Sequence, residues 1–158
     1  MAKFLLSLHV LAAVIAIGPV TVAASMFPRK ARAALAEGAD GTDLAAVRLL
    51  YRITQVYAAI GVAVPVLGIG TAQVMGVMGS PWLITSLVLT VIAALVLLVL
   101  VLPRQEAVIS ALAGEADADS AKALGGLKLL TMSTGIFSLL WVVVTVLMVV
   151  RPGSTTRA

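Results

Sequence analysis

Trp82-Leu83-Ile84-Thr85-Ser86-Leu87-Val88-Leu89-Thr90-Val91-Ile92-Ala93-Ala94-Leu95-Val96-Leu97-Leu98-Val99-Leu100-Val101-Leu102 contains no charged residue, and its only polar side chains are Thr85, Ser86 and Thr90. A helix needs about 20 mostly apolar residues to cross the ~30 Å hydrocarbon core of a bilayer. This stretch meets that length with no turn signal inside it, so it reads as a transmembrane helix.

Three more stretches meet the same criterion. They run from about Phe4 to Phe27, from about Ile53 to Met78 and from about Leu129 to Val150. His9 is the one strongly polar residue of the first, and Gln73 stands near the far end of the second. Thr131, Ser133, Thr134, Ser138 and Thr145 mark the fourth. The chain as a whole is 61% hydrophobic and 11% charged over 158 residues, with a mean hydropathy of +1.15. A soluble domain carries roughly a quarter charged residues because its surface faces water. The expectation is an all-α membrane protein: a four-transmembrane-helix bundle forming one integral membrane domain over residues 1–158. Val22-Ala23-Ala24 resembles a cleavage site, but the apolar stretch is too long for a signal peptide and only Lys3 precedes it, so the first span is read as retained.

With no cysteine in the sequence, thiolate catalysis and cysteine-based metal centres are excluded. The net charge of +4 comes from basic residues flanking the spans, which points to anionic headgroups rather than nucleic acid. Gly79-Ser80-Pro81 makes a tight turn between spans two and three. The other connections, Pro28 to Arg52 and Pro103 to Lys128, read as polar loops on one side of the membrane. They hold eight of the eleven basic residues; Lys3, Arg151 and Arg157 lie on the other side. The positive-inside rule then places both loops in the cytoplasm and both termini outside. Thr42-Asp43 is read as a cap ahead of Leu44, Asp119 or Ser120 as a cap of the last helix, and Gly125-Gly126 as a bend or break after it.

The two loops resemble each other. Pro28-Arg29, Ala34-Leu35-Ala36-Glu37 and Ala39-Asp40 are matched by Pro103-Arg104, Ala111-Leu112-Ala113-Gly114-Glu115 and Ala116-Asp117, at offsets of 75 to 77. One reading is a duplicated helical hairpin with parallel halves. The other is that alanine-rich loops drift toward similar composition. His9 and Gln73 have no counterpart in the other half.

An ionisable residue inside a membrane is a functional candidate because burying it is costly. His9, about 7 Å into its span at 1.5 Å per residue, has the imidazole chemistry to bind a metal or haem iron or to relay a proton. The plainer reading is a histidine hydrogen-bonded to a neighbouring helix. Gln73, Thr85 and Thr145 fall toward the same end, so the four spans can each give a polar group to one outward cavity; interhelical hydrogen bonding accounts for them equally. His9 is the only candidate metal ligand, no cofactor is expected, and no catalytic motif is present. Gly61, Pro65, Gly68, Ala72 and Gly76 form a smooth face on helix two. His9, Ala13, Ala16, Val20 and Ala23 or Ala24 form one on helix one, and the two are expected to pack, with kinks at Pro19 and Pro65. Arg29, Lys30, Arg32, Arg48 and Arg52 are candidates for lipid headgroup or partner contact.

Leu8-His9-Val10-Leu11-Ala12-Ala13, followed by Ile17-Gly18-Pro19 and the basic Pro28-Arg29-Lys30, resembles a bacterial family of predicted four-helix integral membrane proteins of unknown function. The likeness implies the fold and a location in a bacterial plasma membrane, and supplies no activity. More distantly, the first helix is similar to histidine-bearing helices of copper-resistance and haem-bearing membrane proteins, whose further histidines and methionine clusters are missing here. The leading functional expectation is a non-enzymatic accessory or assembly subunit of a larger membrane complex, or a homodimer, in the lipid bilayer. The alternatives are a small metal-ion or solute transporter or channel, and a haem- or quinone-binding protein using His9.

Overall fold

A computed structural model describes residues 1–37, 41–114 and 120–153. Ala39-Asp40, Glu115-Ala116-Asp117, Asp119 and Arg157 lie outside them. The described residues form helices α1 (Ala2–Glu37), α2 (Gly41–Gly61), α3 (Ala63–Val74), α4 (Pro81–Leu95), a π-helical stretch (Val96–Val101), α5 (Leu102–Leu112) and α6 (Ser120–Val150). They make four rods, each long and apolar enough to cross a membrane, so the fold is an all-α bundle of a multi-pass membrane protein.

The expected polar loops are largely helix. α1 continues through Pro28 to Glu37, and α2 begins at Gly41, so the span-one to span-two connection shrinks to residues 38–40. At 36 residues α1 is about 54 Å long, well beyond a ~30 Å hydrocarbon core. Alanine, leucine, arginine and glutamate dominate these extensions and are strong helix formers. Thr42 and Asp43 lie inside the first turn of α2, where a carboxylate favours the helix dipole, rather than ahead of it. Gly125-Gly126 does not break α6, because a gap in the ladder would leave carbonyls unpaired near lipid.

The proline effects differ by site. α1 is uninterrupted at Pro19 and Pro28. Span two breaks between Gly61 and Ala63, four residues after which Pro65 offers no N–H to the Gly61 carbonyl. In span three, Pro103 likewise withholds a donor from Val99. The chain widens there, with Leu102 N–H donating to the Leu97 carbonyl five residues back. Pro28 and Pro103, equivalent in the loop repeat, therefore sit in different local structures.

Span two ends at Val74, short of the expected Met78. Gly76 stands at φ +68°, Val77 N–H donates to Ala72 and Gly76 N–H donates to Gln73, which is a Schellman turn. Gly76 is required by this turn, not by the packing face assigned to it. Ser80 then stands at the N-cap position of α4, its carbonyl accepting from Leu83 and Ile84 N–H, with Pro81 at the first turn.

Packing runs α1 on α2, α3 and α6, and α4, the π stretch and α5 on α6. Only at the loop end is the ring closed, by α2 against α5; α3 and α4 do not pack closely although a tight turn joins them. The core follows this asymmetry. Phe27, Ala31, Ala34, Val47, Val108 and Leu127 are buried at the loop end. The terminus end is open.

Candidate functional site

The space left between α1, α3, α4 and α6 at the terminus end is a cavity of about 820 Å³. All four spans line it. Its walls are mainly Val, Ile, Leu and Met side chains, and its polar residues are His9, Thr71, Thr90, Thr145, Arg151 and the two tryptophans, Trp82 and Trp141.

His9 is held by two features of span two. Its Nδ1 lies 3.0 Å from the Val64 carbonyl oxygen, on the turn just after the Gly61 break. A carbonyl only accepts, so Nδ1 carries the proton and, in the neutral ring, Nε2 keeps its lone pair. Opposite the ring stands Gly68, where an added Cβ would sit 3.0 Å from His9 Cε1. The glycine makes room for the imidazole. Nε2 itself has no hydrogen-bond partner among the described residues.

The threonines are already committed as donors. Thr71 donates to Leu67 at 2.7 Å, Thr90 to Ser86 at 2.8 Å and Thr145 to Trp141 at 2.8 Å, each one turn back on its own helix. Neither indole Nε1 has a partner, and both are covered by surrounding atoms. Trp141 meets Phe137 edge to face at 6.3 Å between centroids. Arg151 closes the mouth. It follows the last residue of α6 at φ +46°, the only non-glycine described residue in that region, and precedes Pro152. Left-handed backbone costs such a residue ~1–2 kcal/mol. The turn brings its guanidinium 5.6 Å from the Trp82 ring centroid, while Nε donates to Met148 at 3.3 Å.

Of the four residues expected to share a cavity, two do. His9 and Thr145 line it. Gln73 and Thr85 are exposed and do not, and the Thr85 hydroxyl donates to Pro81 on its own helix. Both lie near the turn between α3 and α4, whose inward positions go to Ala72 and Trp82. The expected pairing of helices one and two is observed. Ala16, Val20, Ala23 and Ala24 are buried on α1 and Val64 and Ala72 on α3, while Gly61 would leave a Cβ in open space. Arg29, Lys30, Arg32, Arg48 and Arg52 are all exposed at the loop end, and Arg32 also donates to the Thr131 hydroxyl of α6 at 3.3 Å.

The sequence reading missed Thr71, Trp82, Trp141, Arg151 and Gln105. Trp82 and Trp141 carried a signal as the only tryptophans. Gln105 carried none, since Arg104 and Glu106 flank it in a stretch read as polar loop. It is fully buried between the Val101 and Val108 positions on the same helix face, with both amide atoms unpartnered. Among the described residues no three histidine, aspartate or glutamate side chains gather to hold a metal ion. Compared with known proteins, the sequence matches no family model, no curated protein and no solved structure.

Proposed function

We propose that this protein is a non-enzymatic, multi-pass component of a bacterial plasma membrane that holds a lipid-soluble amphiphile in the terminus-end cavity. In this reading the loop end, with its exposed arginines and lysines, faces the cytoplasm. The observation that carries it is an apolar cavity of about 820 Å³ with one oriented imidazole in its wall. Sites for small molecules have this make-up: mostly apolar walls with a few placed polar groups. The loose packing of α3 against α4 offers a lateral route for a molecule dissolved in the bilayer.

Native mass spectrometry of protein released from native membranes in mild detergent tests this reading. A stoichiometric small-molecule adduct is expected, and Ala13→Phe, which fills the cavity from α1, should abolish it. A bare chain, or an adduct indifferent to Ala13→Phe, sinks the reading.

A second reading, an accessory or assembly subunit, is favoured by span two. Only 11% of its most apolar window is buried, against 28% in spans one and three. A stoichiometric set of larger membrane subunits co-purifying with the chain would support it; a clean monomer or homodimer would sink it.

A further inference from the structure

The cavity wall offers acceptors and withholds donors. The Thr71, Thr90 and Thr145 hydroxyl protons are engaged on Leu67, Ser86 and Trp141. The indole N–H groups are covered, and the Nδ1 proton of His9 is engaged on Val64. What remains available in the interior is the Nε2 lone pair, with threonine oxygens as weaker acceptors. The only uncommitted side-chain donors left uncovered among the described lining residues belong to the Arg151 guanidinium, at the mouth.

We propose that His9 Nε2 accepts a hydrogen bond from the hydroxyl of an uncharged, alcohol-headed lipid, such as a long-chain or isoprenoid alcohol or a quinol, whose apolar body fills the cavity. This rests on the cavity being a ligand site. A carbonyl-headed or ether-headed molecule of the same shape meets no donor in the interior and gains nothing from Nε2. The Val64 carbonyl fixes which ring nitrogen is the acceptor, and Gly68 fixes where the ring stands. Moving either removes the preference without removing the cavity.

Trp82 and Trp141 are the chain's only tryptophans and both line the cavity, so their fluorescence reports occupancy. The probes are a fatty alcohol brominated on its tail, its methyl ether and the matching fatty acid, titrated into the purified full chain in lipid nanodiscs. The alcohol should quench saturably at about fivefold lower concentration than the ether, the size of one net hydrogen bond. His9→Leu should make alcohol and ether equal, while His9→Gln, which keeps an acceptor, should restore part of the difference. Gly68→Ala, which retains the histidine but displaces its ring, should shrink the preference. Gly70→Ala, where a Cβ meets nothing within 4 Å, should leave it intact. Far-UV circular dichroism of each variant separates loss of preference from loss of fold.

Equal quenching by alcohol and ether in the unaltered protein overturns the proposal. So does a fatty acid that outcompetes the alcohol and loses its advantage in Arg151→Gln, which would assign the headgroup to the mouth. If all three probes quench no more than a tail-brominated phospholipid in the surrounding bilayer, the cavity reading itself fails.

Discussion

At the loop end, Ala31 and Ala34 of α1 and Ala123 of α6 let helices approach closely around the buried Phe27, Val47 and Leu127. At the terminus end the same four rods line a half-open cavity. The two halves differ in solvent as much as in sequence. Helices of 30 residues or more outrun the hydrocarbon core, and the loop-end extensions, which carry most of the arginines and lysines, suit the headgroup and water zone, where apolar burial drives packing. Within lipid that drive vanishes, since a lipid tail is as apolar as leucine. A gap there is tolerated because something apolar from the bilayer can occupy it.

Removing a large side chain gives the widest contrast between the halves. Phe27 is fully buried and Phe4 is 69% exposed. Phe27→Ala should cost about 3–5 kcal/mol in a reversible SDS-unfolding titration followed by circular dichroism. Phe4→Ala should stay within ~0.5 kcal/mol. Comparable losses would mean that the terminus end is packed in the folded protein after all. Enlargement tests the same difference from the other side. Ala34→Leu should cost about 1–3 kcal/mol by overpacking, whereas Ala13→Leu, on the cavity wall, should be accepted within ~0.5 kcal/mol.

The four rods were legible because twenty apolar residues without a charge have few other structures available. His9 against helix two was legible too, since only small residues on both helices allow that approach. The starts of α2 and α6 were legible from Thr42-Asp43 and Ser120, but the extensions of α1 past Phe27 and of span three past Leu102 were not, because polarity there was read as loop although Ala34-Leu35 and Ala111-Leu112 sit among good helix formers. Which residues line the cavity was hidden for a different reason. In a helix that is apolar all round, inward and outward faces carry no hydrophobic contrast, so the inward turn of Trp82 and the outward turn of Thr85 leave no trace in composition. Arg151 was assigned to the outer flank by topology alone; its positive φ, which brings it over Trp82, is a property of the helix end.

Gln105 breaks the pattern of the loop end, as a polar residue within its densest packing. Its amide oxygen and nitrogen are both unpartnered and both covered. A buried amide without partners costs about 1–3 kcal/mol, so Gln105→Leu, a change of similar volume, should stabilise the protein by about 1–2 kcal/mol in the same titration. Destabilisation would mean that the amide is bonded in solution, through water. The loop-end core would then be a polar network rather than a dry one.

The smallest effect is expected on α6, where Gly135 is exposed and an added Cβ would meet nothing within 4 Å. If lipid is what covers that face, Gly135→Ala exchanges a flexible residue for the best helix former and should gain about 0.5–1 kcal/mol. The opposite sign has one physical source. A second helix approaching closely enough to touch the Gly135 Cα would be pushed away by the methyl group, and the variant would lose stability or association. Run on protein kept in native lipid and again after purification in detergent, this substitution separates the two readings of the exposed spans. A gain in both settings leaves the face to lipid. A loss confined to native lipid places another transmembrane helix against it.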